Sequence, residues 1–425
     1  MLQLGFIRQN PDLVKERLKI KNFDGAFLID ELIRLDIKVR NLQTEKEEIQ
    51  GRIKALSKIT GGLMQEGKLQ EAELKKAEVA KYKIQMEDVA ELDRARAALE
   101  EILYQIPNLP SEKVPPGKTP DDNELIRQSG LRSPLPPGAL PHWDLTKKYD
   151  LIDFELGNKI TGSGFPLYKS RGAKLQRALI QYFLDFNTQA GYTEFSPPLM
   201  VNQASAFGTG QLPDKEGQMY YVNEDQFYLI PTAEVPLTNI YRETIVKENE
   251  LPIKMTGYTP CFRREAGSYG KDVRGLNRLH QFDKVEIVQL VHPDRSYEVL
   301  EEMMLHVEKL LQSLGLHYRI LRLCGGDMSF ASALTYDFEV FSAAQEKWLE
   351  VSSVSNFETF QTNRMKARFK DAAGKNQLLH SLNGSSLALP RILASLLENN
   401  QTKDSILLPE VLHDYFGANS ISGLQ

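Results

Sequence analysis

The sequence predicts an α+β protein, with an N-terminal antiparallel two-helix coiled-coil hairpin followed by a domain built on an antiparallel β-sheet flanked by helices. Three observations predict it. Residues 27–106 are dense in charge and carry a heptad seam. Residues 107–141 hold nine of the chain's 21 prolines. Beyond residue 190, strand-like runs follow one another with few β–α–β alternations, which favours antiparallel pairing. At 425 residues the chain is also too long for one ordinary core.

The hairpin rests on a seam of Leu28, Leu32, Leu35, Val39, Leu42, Ile49, Ile53 and Leu56, spaced alternately by four and three residues and broken only by Lys46. The return arm carries a weaker seam of Tyr82, Val89, Leu92, Leu99, Leu103 and Ile106, with Arg96 in line. No proline falls between Asp12 and Pro107, and Gly61-Gly62 and Gly67 mark the expected fold-back. On residues alone the rod reads either as a dimerisation or spacer coiled coil or as a partner-binding arm. Arg40, Arg52, Lys54 and Lys58 are available for phosphates but equally suited to a solvated face. The proline-rich 107–141 is a semi-rigid linker or cover. The domain boundary is expected near residue 106–110, giving domains 1–110 and 111–425.

In the second domain, 172–191 reads as an amphipathic helix through Leu175, Leu179, Phe183 and Phe186. GYTEFSPPLMV (191–201) reads as a strand containing Pro197-Pro198, a pattern that belongs at a sheet edge. QFYLIPT, PIKMTGYTPCFRR, HQFDKVEIVQLV, 318–324 and 348–354 are further strands. Met303–Leu314 and Leu387–Glu398 are helices.

Composition narrows the function classes. With 41% apolar and 26% charged residues, 19 Phe and 16 Tyr, bulk disorder is excluded. Two cysteines, Cys261 and Cys324, exclude a disulfide scaffold and a Cys-rich zinc site, and the seven histidines are scattered, so no zinc is expected. No export signal or membrane-length apolar stretch is read, so a cytoplasmic setting without membrane contact is expected. The net charge of −5 argues against a nucleic-acid partner. No P-loop, dinucleotide or HExxH pattern occurs.

The informative run is TPCFRREAGSYGKDVRGLNRLHQFDKVEIV (259–288), read as strand, glycine-containing loop, strand. Arg263 and Glu265, two apart, would share a strand face. Arginine suits phosphate because its planar fork donates two parallel hydrogen bonds. Lys271, Arg274 and Arg278 make the loop a basic finger.

This run resembles motif 2 of the class II aminoacyl-tRNA synthetases, in the form found in the seryl-tRNA synthetase family. GYTEFSPPLMV resembles motif 1, with Pro198 as its dimer-interface proline. GTGQLP (208–213) and PTAEVPLTN (231–239) resemble the serine-binding region. EVSSVSNFETFQTNRMKARF (350–369) and HSLNGSSLALPRILASLLEN (380–399) resemble the metal strand and motif 3. The opening IRQNPDLVKERLK and the hairpin resemble the family's tRNA-binding arm, so the resemblance spans nearly the whole chain.

The resemblance implies the class II synthetase fold and a serine–tRNA ligase. Serine would be activated with ATP and transferred to tRNA(Ser), with charging of tRNA(Sec) left open. Arg263 and Arg391 would be the catalytic residues, holding the α- and γ-phosphates. Thr232, Ala233, Glu234, Arg263, Glu286, Asn383 and Ser385 would bind serine. Arg263, Arg264, Glu265, Phe282, Glu350, Val351, Ser352, Ser353 and Arg391 would bind ATP, with Glu265 at the adenine amino group and Phe282 stacked on the ring. Glu350 and Ser353 would ligate Mg²⁺. The hairpin would grip the long extra arm of tRNA(Ser), and Lys271 and Arg274 would approach its acceptor end. Motif 1 would form a homodimer. Two positions depart from the family pattern, Ser386 and Pro390 each standing where glycine is usual. Rival functions are a ligase charging a carrier protein, which the hairpin counts against, and a non-enzymatic coiled-coil paralogue, which the retained Arg263, Glu265, Glu286, Glu350 and Arg391 count against.

Overall fold

The computed structural model describes residues 1–86, 89–132, 134–265 and 274–423. Two compact units result. One comprises Leu2–Lys19 and Phe23–Pro107, and the other Met1, Ile20–Asn22 and Asn108–Gln425.

Among the described residues, the regular elements of the first unit are all helices. Two short helices, α1 (Leu4–Gln9) and α2 (Pro11–Ile20), precede the 40-residue α3 (Ala26–Gln65). At 1.5 Å per residue α3 spans about 60 Å. The chain turns at 66–68 and returns as α4 (Leu69–Met86) and α5 (Val89–Gln105), both packed on α3. The fold-back therefore falls past Gly61-Gly62, which stay inside α3, and only Gly67, at φ +77°, supplies a left-handed turn. Between 39 and 63 the seam positions Val39, Leu42, Lys46, Ile49, Ile53 and Leu56 are partly buried. Lys46 thus stays in the seam. In α5, Ala95 is buried in place of Arg96, which is exposed and donates to Gln43. Burial is concentrated near the base, where Ile7, Val14, Leu18, Ile29, Leu32, Leu92 and Leu99 make a real core, and Arg8 clamps the buried Asp36 through two 2.8 Å hydrogen bonds. Toward the tip Ile59, Leu69, Leu74 and Ile84 are exposed.

The second unit is built on an eight-stranded sheet. Its strands are β1 (Glu124–Ser129), β2 (Thr193–Glu194), β3 (Ile253–Phe262), β4 (Gln281–Val291), β5 (Tyr318–Arg322), β6 (Leu334–Ser342), β7 (Lys347–Glu358) and β8 (His380–Ala388), in the order β1-β5-β6-β7-β8-β4-β3-β2. All pairings are antiparallel except β2 with β3. Against it lie α6 (His142–Lys148), α7 (Ser170–Gln189), α8 (Ser296–Ser313) and α9 (Leu389–Asn399). Apolar spacing in the helices explains the packing. Leu175, Leu179 and Phe183 of α7, Met303, Val307 and Leu310 of α8, and Ile392, Leu393 and Leu396 of α9 share one core with Ile287, Phe338 and Val354 of the sheet. Each such buried side chain contributes about 1.5–3 kcal/mol.

The pleat of β4 places the site. Val285, Ile287 and Val291 enter that core, while Lys284 and Glu286 turn to the cavity face, which Phe282 also lines while packing against the edge of the core. The run 191–201 is not one strand. It pairs only at Thr193–Glu194 and Met200–Val201, with Pro197-Pro198 between them, because proline withholds the N–H a ladder needs. Nor do Arg263 and Glu265 share a strand face: β3 ends at Phe262, and Glu265 has a positive φ of 50°. Among the described residues no helix is long and apolar enough to cross a membrane.

Candidate active site

A cavity of about 700 Å³ opens over the middle of the sheet. It is lined by Thr232, Glu234, Arg263, Glu265, Phe282, Glu286, Glu350, Val351, Ser352, Ser353, Asn383, Ser385 and Arg391. These residues are scattered over 160 positions, and four neighbouring strands with their adjoining loops bring them together. Two expected residues do not line it. Ala233 is fully buried in a separate apolar cluster, and Arg264 fastens its backbone N–H to the Gln218 carbonyl at 2.8 Å. Lys271 lies outside the described residues.

One end of the cavity is a buried polar nest. Lys284 Nζ donates to Thr232 Oγ1 at 2.8 Å and pairs with Glu286 at 2.5 Å. Thr232 in turn donates to Glu286 Oε2 at 3.2 Å. Ser385 faces Glu286 across the β4–β8 ladder. It therefore belongs to the pocket wall and does not cap α9, whose N-cap is Ala388. Glu234 accepts from Gln361 Nε2 at 2.6 Å, and burial beside Glu286 pushes its carboxyl up to about 7. Burial also raises Glu286, opposed by the Lys284 ammonium.

Lys284 and Gln361 were not among the expected site residues. The alternation along β4 could have found Lys284, because it stands between Phe282 and Glu286 on one face. No local signal marks Gln361, whose amide bridges Glu234 to the Thr209 carbonyl (3.1 Å) through a fold contact.

The other end is arginine-rich. The Arg263 guanidinium sits 5.1 Å from the centre of the Phe282 ring, and its Nε donates to the Pro231 carbonyl at 3.4 Å. Arg278 lies 3.4 Å from Glu265. Arg391, at the start of α9, donates to the Glu350 carbonyl at 2.7 Å and to the Asn277 carbonyl at 3.2 Å. Arg391 does not pair with Glu398, which is fully buried and bonded elsewhere. The two departures from the family pattern are accommodated. Pro390 sits in the first turn of α9, where its missing N–H is harmless, and buried Ser386 donates to Asn187 of α7 at 2.9 Å, away from the cavity.

Beside Glu350 and Ser353 lies Asp337, opposite Ser353 in the β6–β7 register. Its Oδ1 is buried without a hydrogen-bond partner, and burial near Glu350 raises its carboxyl well above the usual range. The local donors are all oxygen, the chemistry a hard cation prefers. Among the described residues no three His, Cys, Asp or Glu side chains are grouped to hold a metal by themselves.

Basic groups at one end and a buried acid–base nest at the other suit a polyanion joined to a small amino acid. Comparison with known proteins agrees. The seryl-tRNA synthetase N-terminal domain model matches residues 1–110, and the tRNA synthetase class II core domain (G, H, P, S and T) matches 219–400. The serine–tRNA ligase of Salinibacter ruber is 49% identical over 420 residues, covering 98% of each chain. That of Akkermansia muciniphila is 46% identical over 424, covering 99% of each. The crystal structure of seryl-tRNA synthetase from Pyrococcus horikoshii complexed with ATP superposes with a TM-score of 0.91 at 31% identity, covering 100% of both chains. The chain belongs to the seryl-tRNA synthetase family, the ATP-dependent ligases that join serine to tRNA.

Proposed function

We propose that this cavity carries both steps of serine–tRNA ligation, with the residue roles assigned below. The observation that carries the assignment is the convergence of Arg263, Glu286, Glu350 and Arg391 on one cavity. Thr232, Glu234 and Arg263 hold the amino and carboxylate ends of serine. Glu286, Asn383 and Ser385 surround its hydroxyl, where an amino acid lacking that group would leave buried polar atoms unpaired. Phe282 and Glu265 receive adenine, while Arg263 and Arg391 hold the α- and γ-phosphates. A serine carboxylate oxygen attacks the α-phosphorus, the bond to the bridging oxygen breaks, and pyrophosphate leaves. The terminal ribose hydroxyl of tRNA then attacks the adenylate carbonyl and AMP leaves. Neither step needs a protein nucleophile; positioning and electrostatic stabilisation, to which Arg263 contributes, carry them.

Glu350 and Ser353, with Asp337 beside them, offer oxygen donors that would suit Mg²⁺ and would be the residues to hold it. When bound it neutralises phosphate charge. The arm meets tRNA through exposed cations such as Lys54 and Lys58, by shape and backbone. Arg40 and Arg52 are engaged within the arm, with Asp36 and over the Tyr82 ring. A homodimer through 191–201 is supported by the half-exposed Met200 and by exposed Tyr221 and Phe227 on the strands beside it.

Serine-dependent exchange of pyrophosphate into ATP, followed by charging of tRNA(Ser), tests the function. Exchange driven by another amino acid but not by serine would overturn it. Light scattering tests the dimer.

A further inference from the structure

Outside the residues assigned to ligands, a fully buried polar cluster near the cavity centres on His142, the first residue of α6. Neither its ring nor the Glu398 side chain has any exposure. Glu398, near the C-terminus of α9, is surrounded by donors. Its Oε1 accepts from the His142 backbone N–H at 2.8 Å, from His142 Nδ1 at 2.7 Å and from Gln345 Nε2 at 2.8 Å. Its Oε2 accepts from the Ser342 hydroxyl. The carboxylate therefore holds the ring proton on Nδ1 and leaves Nε2 able only to accept. What Nε2 accepts is the backbone N–H of Leu276, at 2.9 Å.

Leu276, Asn277 and Arg278 form one wall of the nucleotide end of the cavity. The Asn277 carbonyl takes the Arg391 Nε hydrogen bond, and the Asn277 side chain donates to Gln345 Oε1 at 3.1 Å. The next ring in α6, Trp143, lies under the Arg274 guanidinium at 4.8 Å. Gly275, at φ +72°, passes so close that a Cβ there would stand 2.2 Å from His142 Nε2. Arg391 and Glu398 are seven residues apart, two turns along one face of α9. One end of that face touches the cavity wall directly, and the other reaches the same wall through His142.

We propose that His142 is a positioning residue for the nucleotide. It pins the Leu276–Arg278 wall to α9, so that the Asn277 carbonyl and Arg391 keep a fixed relation. It touches no substrate and acts through the Leu276 N–H alone. The inference rests on the nucleotide reading of this end of the cavity.

Two partial mimics separate this role from plain packing. In His142→Asn the amide nitrogen stands near Nδ1 and keeps the donation to Glu398, but the side chain is too short to accept from Leu276. In His142→Gln the amide oxygen reaches the Nε2 position and restores that acceptor. In serine-dependent ATP–pyrophosphate exchange on the full chain, H142N is expected to raise the KM for ATP about tenfold, the effect of leaving a buried N–H unpaired, with the KM for serine within about twofold. H142Q is expected to stay within about threefold for both, whatever its Tm. An unchanged ATP KM in H142N, or an equal rise in both variants, overturns the proposal and leaves His142 a packing residue. Amide hydrogen exchange on the unsubstituted chain decides the matter if either variant misfolds: a Leu276 amide protected without nucleotide supports the clamp, and exchange at the free rate refutes it. Failure of the unsubstituted chain to catalyse serine-dependent exchange would instead remove the reading of the pocket itself.

Discussion

Lys284→Met is the sharpest perturbation of the serine end. Methionine has nearly the length of lysine without its charge, so packing in the buried strand position is kept. Lys284 is 7% exposed and Glu286 2%, and their charged atoms are 2.5 Å apart. At an effective dielectric near 20 that separation corresponds to roughly 7 kcal/mol of gross attraction. Desolvation offsets part of it, and breaking one side of such a buried pair typically costs 3–5 kcal/mol, as an order of magnitude. A second carboxyl, Glu234, sits in the same nest, and burial beside Glu286 pushes it up to about 7. Without the ammonium the influence opposing burial is lost, so the Glu286 carboxyl should rise further and favour its protonated form, and Thr232 loses the donor at its hydroxyl. Protonated Glu286 no longer accepts strongly from the serine hydroxyl. The KM for serine in pyrophosphate exchange should rise by roughly 30- to 100-fold at neutral pH, corresponding to about 2–3 kcal/mol, and recover as pH increases. Discrimination against alanine should fall with it, while the KM for ATP stays within a few-fold. A serine KM within threefold of the unsubstituted chain, flat with pH, would refute the assignment of Lys284 to the charge balance of this pocket.

Arg263→Ala should abolish adenylate formation, by at least 10³ in exchange rate, while light scattering shows the same oligomer as before; near-normal exchange would remove its phosphate role. To hold the serine ammonium as proposed, Glu234 would have to be ionised, and burial pushes its carboxyl from the ordinary 4.5 up to about 7. The folded unliganded state thus binds more protons than the unfolded one between those values, so Glu234 lowers stability as pH rises through that window. Serine binding runs the opposite way: affinity should strengthen as pH climbs toward 7 and level off above it, and a serine KM that is flat from pH 6 to 8 would count against the pairing. Replacing 48–84 with a short Gly–Asn turn keeps the buried base around Leu32, Leu92 and Leu99. Exchange should be spared and tRNA charging reduced at least tenfold; unchanged tRNA affinity would return the arm to a spacer role.

The parts of the fold legible in the sequence are those where one local rule acts alone. The heptad seam located α3 and its packing face because nothing but that seam is available to bury. The alternation in HQFDKVEIVQLV located β4 for the same reason. The run 191–201 misled because two prolines outweighed its β-branched and aromatic residues. The turn was placed too early because glycines inside a long helix that packs on a partner cost only about 1 kcal/mol each. Thirteen of the fifteen expected site residues line the cavity, and the long motifs rather than any spacing rule identified them. Ala233 and Arg264 are the exceptions, and both are explained by neighbours remote in sequence. The net charge of −5 pointed away from nucleic acid, and family membership overturns that expectation. A whole-chain sum is insensitive to a neutral, charge-dense arm: residues 1–106 carry 19 basic and 19 acidic side chains.

The same insensitivity holds inside the cavity and explains why its key pairings could not be read along the chain. Glu234 and Glu286 are 52 residues apart, and their mutual repulsion exists only once β4 and the turn after residue 230 meet. Lys284 relieves it, but in sequence Lys284 is one more alternating polar residue on a strand. His142 is a stronger instance. It lies just past a proline-rich stretch without a motif, and its partners are 134 and 256 residues away. Single-residue chemistry marks groups that meet ligands directly, because those groups must be particular types. Groups that hold other groups in place are specified by geometry, and any donor or acceptor of the right reach will serve. A buried histidine can therefore fix the wall that holds Arg391 and still carry no signature of its own. The asparagine and glutamine variants test that distinction: if reach is what matters, glutamine should work where asparagine fails.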